Sequence, residues 1–468
     1  MTRESALQAA LDYFHSGEFR ETLNRRIAYR TESQNPQQAA TLMAYLEEEM
    51  IPYLAGMGFS CLIVANPEAG KGPFLLARRL EDDADFTLLS YGHGDVVPGD
   101  EDNWRSGLSP WELHAEGNRW YGRGTADNKG QHSINLAALA LVLKARNGRL
   151  GYNVKLILEM GEEAGSPGLE QVCQQYRDWL AADLFIASDG PRVTAQRPTL
   201  FLGSRGVFNF SLVIQLRDGA HHSGNWGGLL SNPGIRLAHA IGCLVDAHGR
   251  ILLPELLPPP LSATIRHHLS DLELGNAPGD PQIAPEWGEP GLSAAEKLYG
   301  WNTLETLALT SGTPDKPAHA IPPAAVAHCH MRYVPGSDVD NFASHIRRHL
   351  DQHGFNDVAI IDPVNCFKAT RIDPDDAWVD WSVASIQRSL GKKAAVLPNF
   401  GGGLPNACFL DTFNVPTLWL PHSYPACSQH APDEHLLADL SCEALQLMTG
   451  LFWDLAEEGW EVMQTRGG

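Results

Sequence analysis

The chain has 468 residues, of which 43% are hydrophobic and 19% charged, so it holds material for a sizeable core and is long enough for two domains. Its 56 acidic residues outnumber 35 basic ones for a formal charge of -21, a surface that repels nucleic acid and anionic membrane and removes both as expected partners. No run of about 18 apolar residues and no basic-apolar-small leader order occurs, and the eight cysteines form no CxxC pair; a cytoplasmic protein with free thiols is the expectation.

Helix and strand patterns alternate through the first 195 residues. "ESALQAALDYFHSGEFRETLNRRIAY" and "QQAATLMAYLEEEMIPYLAGMG" space their apolar residues by three and four, as amphipathic helices do. "DFTLLSYG", "NVKLILEM" and "ADLFIASDG" are short apolar runs of the kind buried on both faces of a parallel sheet. "QHSINLAALALVLKAR", apolar all round, reads as a covered helix. The pattern predicts an α/β domain with a mostly parallel sheet covered by helices.

Near residue 200 the pattern changes. "GVFNFSLVIQLR" and "AVAHCHMRYVPG" alternate like half-exposed antiparallel strands, "PGIRLAHAIGCLVDAHG" and "NFASHIRRHLDQHG" read as helices, and "DVAIID" as a strand. Residues 250 to 300, rich in Pro and Gly, read as a long irregular insertion. "AWVDWSVASIQRSLG", "VPTLWLPHS" and "LSCEALQLMTGLFWDLAEE" then return to helix, buried strand and helix. The expected division is a catalytic domain of residues 1–198 and 371–468, interrupted by an inserted α+β lid or dimerisation domain of residues 199–370.

Ligands of open parallel sheets bind beyond the carboxyl ends of the strands, and here each apolar run ends in chemistry-bearing residues. The first ends at His93 and Asp95, the second at Glu162 and Glu163, the third at Asp189, and the last is followed by His430; Asp127 sits in a Gly-rich turn before the covered helix. Taken singly, each has an ordinary explanation, such as a capped histidine or a turn at Asp189-Gly190. Jointly those explanations give no reason for a polar residue at every strand end. Imidazole nitrogen and carboxylate oxygen suit zinc, with manganese and cobalt as alternatives. A shared carboxylate can hold two ions about 3.5 to 4 Å apart. If His93, Asp127 and Asp189 hold one ion, Asp127, Glu163 and His430 can hold the other. Glu162 is then left free to act as general base on a water between them.

The stretches "GHGDVVPG", "GRGTADNKG", "GEEAGS", "SDG" and "HAPDEH", in this order, resemble the co-catalytic zinc peptidases and amidohydrolases that include carboxypeptidase G, aminoacylase, acetylornithine deacetylase and the carnosine-type dipeptidases. The resemblance spans most of the chain. It implies metal ligands His93, Asp127 (bridging), Glu163, Asp189 and His430, with Glu162 as base and later proton donor and Asp95 as the partner of His93. It implies a cis peptide at Asp127-Asn128. "AHHSGNWGG" is similar to a segment whose histidine stabilises the oxyanion across a dimer, here His222, with His221 as the alternative. Arg332 in "MRYVPG" matches an arginine that grips a substrate carboxylate, its ordinary alternative being a surface ion pair. Gly402 and Gly403 lie in "GGGLP", where the carnosine-type branch has G-G-S-I-P, so one hydroxyl is missing. The implied protein is a homodimeric hydrolase with two divalent ions that cleaves an amide in a dipeptide. The alternatives are a deacylase acting on an N-acyl or N-carbamoyl amino acid and a non-catalytic binding relative.

Overall fold

The computed structural model describes residues 2–276 and 280–466. Residues 277–279, part of the Pro/Gly-rich stretch, lie outside the described residues.

Eight strands form the larger sheet, in the order Ser60–Val64, Phe74–Arg79, Asn153–Glu159, Thr87–His93, Leu184–Ala187, Thr417–Trp419, Thr199–Phe201 and Ala395–Leu397. The central strands pair in parallel, His93 opposite Glu159 and Tyr91 opposite Ala187. The continuous apolar runs are explained by this placement, because alternate residues feed two cores. Leu88, Val154, Leu156 and Leu158 face one core; Leu89, Tyr91 and Ile157 face the other. The first core is closed by the helices Arg3–His15, Lys129–Ala145, Ala377–Leu390 and Ala438–Arg466, and the second by Leu169–Gln175 and Asn406–Phe413. The result is a three-layer α/β/α unit.

A second sheet of four antiparallel strands runs in the order Thr303–Ser311, Ala324–Tyr333, Gly206–Gln215 and Val358–Phe367. The helices Pro233–Gly242 and Phe342–Gln352 cover one face of it around Leu212, Ile214, Leu237, Ile346 and Leu350. The chain leaves and re-enters the larger unit through adjacent segments, Thr370 and Ile372 donating to the carbonyls of Ser204 and Leu202.

The structure corrects three sequence expectations and adds one feature. Thr199–Phe201, assigned by residue count to the inserted domain of 199–370, hydrogen-bonds into the larger sheet beside Ala395–Leu397, so the change of sheet follows residue 201. Within the 250 to 300 insertion, Ala263–Leu269 and Ala294–Gly300 are helices whose Ile265, Leu269, Ala295 and Tyr299 join the second core of the α/β unit with Phe185 and Phe201. Proline-rich flanks hid these short amphipathic turns. The first expected helix is two, Arg3–His15 and Glu18–Ile27, separated at Gly17, whose φ of 88° is left-handed. Finally, Ser60–Val64 and Phe74–Arg79 extend the sheet as an antiparallel edge, an addition that parallel α/β sheets commonly carry.

Asp454 of the last helix ties the termini together. It accepts from Arg3 at 2.6 and 2.9 Å, from Arg388 at 2.8 Å and from Ser385 at 2.7 Å. Burial pushes its carboxyl up, but those bonds outweigh it and hold the group below its ordinary 3.8. A depressed folded-state value gives stability that is present above pH 3.8 and is lost as the pH falls through the folded value. Asp454→Asn is therefore expected to cost about 3 kcal/mol at neutral pH, with the gap to the unmodified protein closing below pH 3.8 in urea unfolding.

Candidate metal centre

The strand ends and adjoining turns bring six sequence-singled residues together. His93 ends the Thr87–His93 strand, and Glu162 and Glu163 begin the turn after Asn153–Glu159, its parallel neighbour. Asp189 follows Leu184–Ala187 on the other side of that strand. Asp127 comes from the turn before the Lys129–Ala145 helix, and His430 from the loop beyond Thr417–Trp419. The G-H-G triplet has a steric cause. A Cβ on Gly92 would lie 2.8 Å from Cβ of His132, and one on Gly94 would lie 2.5 Å from the Tyr45 ring, so only glycine lets the strand end pass this close to its covering helices.

Asp127 stands between the two imidazoles, one carboxylate oxygen toward each. Its Oδ1 is 2.9 Å from His93 Nε2 and its Oδ2 is 2.9 Å from His430 Nε2. Asp189 Oδ2 lies 3.7 Å from the His93 nitrogen, and Glu163 Oε2 lies 3.1 Å from that of His430. Donor atoms of His93, Asp127 and Glu163 all lie within 4.8 Å of one another. The peptide Asp127-Asn128 is cis. Glu162 sits in the same group, yet no hydrogen bond or ion pair ties its carboxylate among the described residues.

This crowding has an electrostatic consequence. Burial first, then Asp127, pushes Glu163 up to about 7 and Asp189 up to about 6. Burial also raises Glu162 well above the carboxylate range, Asp189, Glu163 and Asp127 adding to it against His93. Asp127 is held far below its usual value despite burial, by hydrogen bonds from His430 and His93, while the same contact lifts His430 to about 11. Four neighbouring carboxylates are comfortable in their ionised forms only beside more positive charge than two imidazoles supply. Glu163 Oε1 is buried with no hydrogen-bond partner, an acceptor that a cation would satisfy. The donor set therefore fits divalent metal ions.

The supporting groups go beyond those expected. Asp95 is fully buried; its carbonyl lies 3.1 Å and its Oδ1 3.4 Å from His93 Nδ1, fixing that ring. Its two carboxylate oxygens also accept the backbone N–H groups of Glu162 and Glu163, each at 3.1 Å, so one side chain orients both the histidine and the glutamate turn. Sequence reading missed Glu434, whose carboxylate accepts the N–H groups of Gly124, Ala126 and Asp127 and pairs with Arg123 at 2.8 Å. Its only signal was a second acid after His430 in "HAPDEH". Gln429 also donates to Asp127.

Other candidates lie apart from the cluster. Arg332, on the Ala324–Tyr333 strand, forms no ion pair among the described residues and has a buried Nη1 without a partner there, so the surface ion-pair explanation does not hold. Arg205, not singled out from sequence, is its electrostatic neighbour. Burial and then the Arg332 charge lower Arg205 to about 10. Arg205 donates from Nε and Nη2 to the Gly401 carbonyl and leaves Nη1 unpartnered. Gly402 and Gly403 pack on the rings of Phe400 and Phe367, and the Phe400 ring abuts Gly190, next to Asp189. His221 and His222 pair with Ile321 and Ala320; His222 is exposed, and neither forms a hydrogen bond or ion pair with the cluster among the described residues. If Glu434 holds the bridging turn in place, Glu434→Gln should weaken divalent-metal binding about 10- to 100-fold, with unchanged circular dichroism, in competition titrations against a chelator.

The mouse Beta-Ala-His dipeptidase is 32% identical over 255 residues, about half of either chain (52% and 51%). The Cys-Gly metallodipeptidase of Saccharomyces cerevisiae is 26% identical over 405 residues, 80% of each chain. The crystal structure of human carnosine dipeptidase 1 superposes with a TM-score of 0.76 at 23% identity, covering 96% of this chain and 99% of that one, and so shares its fold. Residues 89–454 match peptidase family M20/M25/M40, and the chain belongs to that family.

Proposed function

We propose that this chain, a metal-dependent peptidase by family, hydrolyses the amide bond of dipeptides bearing a free carboxylate. The observation that carries the reading is Asp127, with one oxygen on His93 and the other on His430. On this reading His93, Asp127 and Asp189 hold one ion and Asp127, Glu163 and His430 the other. Zinc is the proposed metal, with manganese and cobalt fitting the same donors. Bound there, the two ions polarise the amide carbonyl and lower the pKa of an attacking water.

The protein's own groups do the rest. Glu162, whose backbone Asp95 fixes and whose carboxylate is untied, takes the proton of the attacking water and returns it to the departing amine. Arg332, with Arg205 beside it, takes the substrate carboxylate through its unpartnered N–H groups. His222 donates to the oxyanion from a second copy of the chain. Its exposure and its separation from its own cluster support that role, as do the exposed Leu307 and Leu309 on the Thr303–Ser311 edge strand, which support pairing of inserted domains in a homodimer. The dipeptidase relatives favour dipeptides. N-acyl amino acids, which present the same amide and carboxylate, are the second reading, favoured by the glycine at position 403 in place of a hydroxyl. No helix among the described residues is long and apolar enough to cross a membrane. The eight cysteines are all free, which supports a reducing, cytoplasmic setting.

Two variants test the assignment. Glu162→Gln should lower kcat about 10²- to 10⁴-fold while the metal content stays as in the unmodified protein; full activity in that variant would remove the base from the mechanism. Arg332→Ala should reduce kcat/KM about 10- to 100-fold for dipeptides and leave the corresponding dipeptide amides unaffected, read as free amine released.

A further inference from the structure

The inserted unit carries a second group of metal-type donors that peptide hydrolysis does not use. One donor atom from each of Cys243, His349 and His353 lies within 4.8 Å of the others. His349 and His353 are four residues apart at the C-terminal end of the Phe342–Gln352 helix, which puts them on one face, and their ring centroids are 4.2 Å apart. Cys243 directly follows the Pro233–Gly242 helix. Both helices press apolar side chains onto the same core, Leu237 and Ala240 from one and Ile346 and Leu350 from the other. His349 Nε2, 2.8 Å from the Cys243 carbonyl, joins their ends.

The hydrogen bonds leave the ring nitrogens prepared for a ligand. A carbonyl only accepts, so His349 Nε2 carries a proton toward Cys243, and His353 Nδ1, 2.9 Å from the His349 carbonyl, carries one too. His349 Nδ1 and His353 Nε2 are then lone pairs that make no hydrogen bond among the described residues. Metal-bound histidines are held this way, one N–H on a backbone carbonyl and the other nitrogen on the ion. Histidines favoured at a helix C-terminus by its dipole would explain their presence there but not their convergence on a thiol.

We propose that Cys243, His349 and His353 form a third metal site, separate from the carboxylate centre, that binds one borderline-soft divalent ion such as zinc through a thiolate and two imidazoles. Exposed His353 leaves a fourth position open to water. The bound ion ties together the ends of the two helices that cover the inserted sheet. The site shares no residue with the carboxylate centre; the expected total of ions, but not the thiolate band, rests on the two-ion reading of that centre.

Cobalt(II) tests the site on the full-length protein, since only a thiolate ligand gives a sulfur-to-cobalt charge-transfer band and the carboxylate centre contains none. The expected result is three ions per chain with that band present. Cys243→Ser and His353→Ala should each abolish the band, with the ion count falling to two and circular dichroism unchanged. A protein that saturates at two ions without the band, or a band that survives Cys243→Ser, would overturn the proposal.

Discussion

Crowding of like charge at one sheet edge is the constraint on which the rest of this structure depends. Asp127, Glu162, Glu163 and Asp189 converge on two imidazoles in a largely buried space, where unpaired carboxylates are expensive. The surrounding groups exist to hold that costly arrangement. Gly92 and Gly94 let the strand carry His93 against Tyr45 and His132, Asp95 fixes the ring of His93 and the backbone of both glutamates, and Glu434 binds the turn amides of Gly124, Ala126 and Asp127. Preorganisation of this kind lets a site meet an ion or a transition state without rearranging.

Much of this was legible in sequence because parallel strands buried on both faces produce apolar runs with sharp ends, and the ends are where ligands bind. Six strand-end or turn residues named on that basis, His93, Asp127, Glu162, Glu163, Asp189 and His430, meet in space. The groups that escaped notice act through long-range contacts without a local pattern. Glu434 reaches 307 to 311 residues back along the chain, and Arg205 acts through Gly401 and Arg332. The boundary between the two units was misplaced for a local reason. Thr199–Phe201 is too short to show whether it pairs in parallel or antiparallel, and the apolar faces of Ala263–Leu269 and Ala294–Gly300 were masked by flanking prolines and glycines.

The two units divide the work. On the proposed reading the α/β unit supplies the cluster, and the inserted unit, joined to it through the paired segments around Ser204 and Thr370, supplies Arg332 from its four-stranded sheet and His222 from a separate two-stranded pairing. Arg205 stands at that junction, bonded to the glycine loop on one side and adjacent in charge to Arg332 on the other. A substrate carboxylate drawn to the two arginines would therefore bring the inserted unit and the cluster into register around one molecule.

In the proposed centre one shared carboxylate, Asp127, serves two ions. Anomalous diffraction from zinc-loaded crystals tests it directly. Two peaks about 3.5 to 4 Å apart, with Asp127 ligating both, His93 and Asp189 on one and Glu163 and His430 on the other, are the predicted result. A single peak, or two peaks with Asp127 bound to only one of them, would contradict it.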